Sequence, residues 1–235
     1  MRVVVTRPRS DGERTAAALR ARGHQVLVVP LMRVEPITAD LGGQWGAVIV
    51  TSANAPNAIA DNSARNNLIM LPLFAVGRRS AEAARQAGFT NVTSAGGDVS
   101  DLVRTLAIRQ ADAKAPLLYL AGEDRAADLL GELSARGIAA EIRIVYRAIT
   151  ESFPPALIEA LKAGEIDAVM HFSRRSAANY VAGAKKADIT RPAMAVRHFC
   201  LSMQVAEPLG GAGRIDVAAR PDEAALIELL QVSSA

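Results

Sequence analysis

The chain has 235 residues, half of them hydrophobic and 22% charged, with a formal net charge of +3. That length lies at the border between one large domain and two small ones, and the composition is ordinary for a soluble globular protein. A single cysteine, Cys200, excludes an internal disulfide and a multi-cysteine metal site and fits a reducing compartment. The basic residues are overwhelmingly arginine, with only four lysines, and form no dense run with interleaved aromatics, so nucleic acid is not an expected partner.

Residues Arg2–Val5 already read as a strand, with no charged and apolar leader and no spanning segment. A cytoplasmic location without membrane contact is therefore expected. Further β-branched runs follow at Val26–Val29, Ala47–Thr51, Leu73–Val76, Leu117–Leu120, Ile142–Tyr146, Ala168–Phe172 and Ala195–Leu201. Stretches rich in Ala, Leu, Arg and Glu separate most of them and read as helices. Ser10-Asp-Gly-Glu13 has the pattern of a capping box opening the first helix. Gly23, Gly88, Gly137, Gly164 and Gly213 stand where helices should close. Strands alternating with helices predict an α/β protein with parallel sheets flanked by helices.

Three segments recur in the same order. Ala47–Ile59 is echoed by Ala168–Tyr180, Leu19–Val26 by Leu133–Ala140, and Phe74–Ala81, more loosely, by Phe199–Ala206. A period this long is not a solenoid repeat, and it predicts two similar domains. Such pairs tend to hold a ligand between them. The repeat alone places a cut in the loop-like Ala111–Ala115 segment.

In parallel α/β sheets, ligands gather at the loops leaving the carboxyl ends of the strands. Here those loops are Thr6–Ser10, Thr51-Ser-Ala-Asn54, Gly77-Arg-Arg-Ser80, Ala121-Gly-Glu-Asp124, Ser173-Arg-Arg-Ser176 and Ser202-Met-Gln-Val205. Glycine and small hydroxyl residues leave backbone N–H groups open to an anion, though Ser, Thr and Asn are equally what helix N-caps require. The arginine pairs Arg78-Arg79 and Arg174-Arg175 oppose the helix dipole, which points to an anionic ligand unless they are solvated surface residues. Nucleotide-binding glycine fingerprints and the G-x-S-x-G elbow are absent, and His24, His171 and His198 lack metal-ligand spacing. His24 reads as a surface residue and His171 as packed within a strand.

Taken together, Val5-Thr-Arg-Pro8, Arg22–Leu31, Val50–Ala55, Phe74-Ala-Val-Gly77, Leu118–Glu123 and Ile144-Val-Tyr-Arg147 resemble uroporphyrinogen-III synthase over essentially the whole chain. The resemblance implies a discontinuous first domain, about 1–34 with 150–235, and a second of about 38–146. Two linker strands, about 30–37 and 143–152, would join them. It also implies cyclisation of the linear tetrapyrrole hydroxymethylbilane, a polycarboxylate, to uroporphyrinogen III. That reaction loses water and inverts the last ring, needs no metal or organic cofactor, and is expected of a monomer. The task is chiefly one of positioning.

By the same resemblance Tyr146 is the expected general acid, a phenol being protonated at neutral pH; an interfacial packing role is the alternative. Thr51, Ser52 and Ser80 are expected to hold substrate carboxylates, with Ser173 as the counterpart in the other domain. Gly77 and Gly122 would admit the substrate close to backbone. Arg7, Ala53, Asn54, Arg78, Arg174 and Arg175 complete the expected binding set. The loop Ser202–Val205 departs from the family's Gly-x-x-Thr, leaving Gln204 and Arg197 as substitutes. Two rivals belong to other classes: a non-enzymatic two-domain module binding an anionic metabolite, and a flavodoxin-like electron carrier, which the basic chain without a flavin phosphate loop disfavours.

Overall fold

A computed structural model describes residues 1–109, 114–124 and 128–232. In chain order the elements are β1 (Arg2–Val5), α1 (Arg9–Arg20), β2 (Gln25–Val28), β3 (Met32–Pro36), β4 (Ala47–Val50), α2 (Asn54–Ala58) and α3 (Arg65–Leu68). Next come β5 (Leu73–Ala75), α4 (Arg78–Gln86), β6 (Val92–Ser94), α5 (Val99–Arg109), β7 (Leu117–Gly122), α6 (Leu129–Ser134) and β8 (Ala140–Thr150). The chain finishes with α7 (Pro155–Lys162), β9 (Ala168–His171), α8 (Arg174–Lys186), α9 (Thr190–Ala195), β10 (Arg197–Cys200), α10 (Met203–Ala206), β11 (Arg214–Val217) and α11 (Glu223–Val232).

These elements form two compact units, Met1–Arg33 with Ile149–Ala235, and Val34–Ala148. The chain passes from one to the other within β3 and returns within β8. Ile37 N–H bonds Val145 O at 2.8 Å and Glu151 N–H bonds Leu31 O at 3.0 Å. One partner number rises as the other falls, so β3 and β8 run antiparallel.

The first unit holds a five-stranded sheet, β11-β10-β9-β1-β2, parallel throughout. The second holds β3-β8-β7-β4-β5-β6, parallel from β8 onward. Helices cover both faces of each sheet, so the central strands read as unbroken apolar runs. Alternation then sorts their side chains into two cores. Val4, Val169 and Cys200 pack on one face of the first sheet, and Val3, Val5, Met170 and Phe199 on the other. Val48 and Val50 oppose Ala47 and Ile49 in the same way in the second.

Some local expectations fail. Helix α1 starts one residue before Ser10, with Pro8 as its N-cap and no capping side chain, so Ser10–Glu13 is not a capping box. Proline pre-sets the φ needed there. Gly23, Gly88, Gly137 and Gly164 do take the positive φ of helix C-termini, but near the fifth expected position it is Gly211, at +95°, rather than Gly213. Strands β6 and β11 are short, and their sequences do not stand out from the surrounding turns.

Candidate functional site

An open parallel sheet has a crevice where the strand order reverses, because consecutive connections then leave on opposite faces. In the second unit that point lies between β4 and β7. A cavity of about 380 Å³ sits there, lined by Thr51, Ser52, Val76, Asp98, Val99, Tyr119, Gly122, Asp124, Leu129 and Tyr146. Thr51, Ser52, Val76, Asp98, Gly122 and Asp124 end or follow β4, β5, β6 and β7, whereas Tyr119 and Tyr146 come from within β7 and β8.

The position of Tyr146 depends on a β-bulge. Pairing runs Ala121↔Ile144 and then Gly122↔Tyr146, so Val145 is an extra residue on β8. Val145 turns into the core, and Tyr146, half-buried, lies against Gly122. A Cβ at residue 122 would stand 2.6 Å from Tyr146 Cζ and 2.8 Å from its Oη. Any larger residue there would force the tyrosine ring to move. Gly77 differs: its φ of −142° suits any residue, and the nearest atom to an added Cβ is 3.9 Å away. Nothing within the protein demands glycine there, and the missing side chain leaves open space at the start of α4.

The hydroxyls are distributed unevenly. Thr51 Oγ1 and the buried Tyr119 Oη share a 2.9 Å hydrogen bond at the cavity wall. Ser52 Oγ accepts from Asn54 N–H at 3.2 Å, a short-range turn contact. Ala53 is the N-cap of the five-residue α2, and Asn54 is exposed at its first position. Arg78 is exposed at the start of α4, whereas Ser80 is buried inside that helix and does not line the cavity. Helical periodicity turns the third residue inward, so Ser80 is poorly placed to meet a ligand carboxylate.

In the first unit the strand order reverses between β1 and β9. Arg7 fills this place. Its guanidinium lies 4.3 Å above the Phe172 ring, donates to Thr15 Oγ1 at 3.0 Å and to Glu223 Oε2 at 2.9 Å, and faces Asp11 at 3.6 Å. Thr15 Oγ1 also meets Glu223 Oε1 at 2.6 Å. Burial works to raise the Glu223 carboxyl, but the Thr15 and Arg7 hydrogen bonds outweigh it and hold the group below its usual range. Arg7 is therefore engaged internally, contrary to its expected role toward a ligand.

Ser173, Arg174, Arg175 and Gln204 lie on the surface of this unit, whereas Arg197 is half-buried. Ser173 caps α8, its Oγ accepting from Ser176 N–H at 3.1 Å, and Arg174 pairs with Glu207 at 2.8 Å. Arg175 and Gln204 are exposed, the latter in the four-residue α10 capped by Ser202. Arg197 is bound to Asp216 and stacked 4.6 Å over Phe199.

His171 and His198 are fully buried, with Nε2 of one 3.1 Å from Nδ1 of the other. Both are held neutral by burial, His198 with a pKa of about 4 and His171 well below its ordinary value. This pair was legible only as two scattered strand residues. His24 is half-buried rather than a surface residue. Among the described residues, no helix is long and apolar enough to cross a membrane.

Residues 13–228 match the family model described as uroporphyrinogen-III synthase HemD. The chain belongs to this family. A search of curated proteins finds no match. Among solved structures, the uroporphyrinogen-III synthetase of Helicobacter pylori is 18% identical, with a TM-score of 0.68 over 99% of this chain and 100% of the other. A mutant uroporphyrinogen III synthase of Thermus thermophilus is also 18% identical, with a TM-score of 0.56 over 100% and 99%. At such identity the structures show a shared two-domain α/β fold.

Within this member of the uroporphyrinogen-III synthase family, the cavity brings together Thr51, Ser52, Gly122 and Tyr146 of the residues singled out in the sequence. It adds Tyr119, Asp98 and Asp124. Tyr119 and Asp124 lie in or beside segments that carried the resemblance, yet each read as an ordinary strand or loop residue. Asp98 carries no signal of its own in the sequence; in the structure its Oδ1 accepts Asp101 N–H at 3.0 Å, as a helix N-cap does.

Proposed function

We propose that this chain is a uroporphyrinogen-III synthase, closing hydroxymethylbilane to uroporphyrinogen III with loss of water, and that it does so with Tyr146 as proton donor. The observation that carries the reading is Tyr146 itself, seated by a bulge over Gly122 in a cavity at the switch point of a sheet whose chain belongs to this family. The leaving hydroxyl group needs a proton, and the electron-rich pyrrole compensates the charge left behind. The remaining work is to bring the substituted carbon of the last ring, rather than the unsubstituted one, to the reacting carbon. Holding two reacting groups in order is worth several orders of magnitude in rate.

The exposed arginines Arg78, Arg174 and Arg175 suit the carboxylate arms of the substrate as screened, long-range attractions rather than as buried clamps. Arg7 and Ser80 drop out of that role for the reasons given above. A monomeric state and a cytoplasmic location are part of the same proposal.

The test is a coupled assay with freshly generated hydroxymethylbilane, without added metal or cofactor, followed by separation of type I and type III products. Type III is expected. Only type I at high protein concentration overturns the synthase and favours a binding module for an anionic metabolite. Tyr146→Phe keeps the ring over Gly122 while removing the proton. It should lower kcat by about 100-fold or less, at or below the bottom of the range for general acid catalysis because the leaving group departs readily, with KM nearly constant. Unchanged turnover would make the tyrosine a packing residue.

A further inference from the structure

The first unit carries a second concavity, of about 580 Å³, away from its switch point. Ala195 and Gly213, among its lining residues, stand just before β10 and β11, so it lies at the amino ends of these parallel strands. The loops after β1, β9 and β10 leave the opposite, carboxyl ends.

The polar groups of this lining share one chemical character. Lys185 and Arg191 are cations, Thr190 adds a hydroxyl, and no described carboxylate lines the space. Among the described residues, none of these three side chains has a hydrogen-bond or ion-pair partner. The acids nearest in sequence, Asp188 and Glu207, lie outside the lining, and Glu207 is paired with Arg174. Arg14, Arg197 and Arg220 of the same unit all reach carboxylates, which sets Arg191 apart. Lys185 has a local reason for its place, since a cation in the last turn of α8 suits the helix dipole. Arg191, in the first turn of α9, has none. Val181, Met194 and Pro208, all half-buried, supply an apolar wall, and Gly210, Gly211 and Gly213 add no side-chain bulk.

We propose that this concavity binds a small organic anion, a carboxylate or phosphate head on an apolar ring. Lys185, Arg191 and Thr190 meet the head, and Val181, Met194 and Pro208 pack against the ring. Both halves of the ligand are needed. Exposed ion pairs are weak by themselves, so a bare inorganic ion gains little. A neutral ring covers the wall but leaves both cations without a counter-charge. The site is separate from the synthase reading, whose residues stand at the carboxyl ends of the strands, and does not depend on it.

The test is NMR of the full chain at low salt, following the amides of Thr190, Gly211 and Gly213. The probes are 2-naphthoate, 2-naphthyl phosphate, acetate and 2-naphthalenemethanol. Half-saturation near about 1 mM is expected for at least one of the two ring anions, the scale for ligands of this size. Comparison of the two identifies the head group that the site takes. Acetate lacks the ring and the alcohol lacks the charge, and each should bind about tenfold more weakly. Lys185→Gln combined with Arg191→Gln should weaken the ring anion by about tenfold at low salt, with melting unchanged because neither side chain has a protein partner. Three results would each overturn the proposal: no response of these amides to either ring anion, an equal response to acetate or to the alcohol, or unaltered affinity in the double variant. None of them bears on type III product formation, which the isomer assay tests by itself.

Discussion

The two units build the same crevice and use it differently. Each sheet reverses its strand order at one point, between β4 and β7 in the second unit and between β1 and β9 in the first. In the second, a bulge and a glycine hold Tyr146 to one side and leave a cavity of about 380 Å³. In the first, the arginine after β1 folds over Phe172 and is pinned by Glu223 at the start of α11. One duplicated architecture has thus left one switch point open and used the other to fasten its last helix. A crevice becomes a site only when no side chain of the protein satisfies it first.

Acid should break the comparison most strongly, because the buried His171–His198 pair lies in the first unit alone. Their folded-state pKa values are depressed, so the unfolded chain takes up more protons as pH falls. Stability from the neutral pair is full above about 6.5, the ordinary histidine value, and is lost below it until the folded value near 4 for His198 is reached. Between pH 6.5 and 5 this amounts to roughly 2 kcal/mol for His198 at about 1.4 kcal/mol per unit, and His171, also depressed by burial, adds in the same direction. Tyr180, pushed up by burial, and Cys200, raised to about 12, stay neutral across this range and offset nothing. Hydrogen exchange at pH 5 should show β9 and β10 opening before β4 and β7. Equal loss of protection in both sheets would mean that the pair does not decide acid stability.

Filling the open crevice is the next largest change. Gly122→Ala places a methyl group 2.6 Å from the Tyr146 ring, which must move. Overpacking of this kind costs about 1–3 kcal/mol. Turnover to the type III isomer should fall about 100-fold, as misplacement of a reacting group by an ångström does. Gly77→Ala, with 3.9 Å of clearance, is the control for the fold, expected to melt like wild type. If Gly122→Ala keeps full activity, Tyr146 is not held where the chemistry needs it.

Unfastening the closed crevice is the gentlest test. Glu223→Gln removes the charge that Arg7 meets, leaving Asp11 and Thr15 as its partners. The loss should be about 1 kcal/mol in urea unfolding, discounted from a fully buried charge pair because Glu223 is nearly one-third exposed. Isomer ratio and KM should not move. A raised KM would return Arg7 and its surroundings to the binding site.

Much of this protein follows from local chemistry that the chain carries openly. Runs such as Val3–Val5 and Ala47–Val50 are too apolar to face water on either side, so parallel sheets between helices follow from composition and alternation alone. The loops after such strands are where small, polar and basic residues collect, which made Thr51, Ser52 and Gly122 visible in the sequence; Tyr146, inside a strand, stood out only through the family resemblance. What local chemistry leaves open is whether a side chain is already satisfied. Arg7 and Arg78 are equivalent in sequence, each an arginine just past a strand, yet Glu223 from more than two hundred residues away occupies one and not the other. The bulge that sets Tyr146 opposite Gly122 and the closeness of His171 to His198 are likewise contacts between distant segments. Their geometry comes from strand register and packing, which short-range patterns do not encode, and only the tertiary structure decides it.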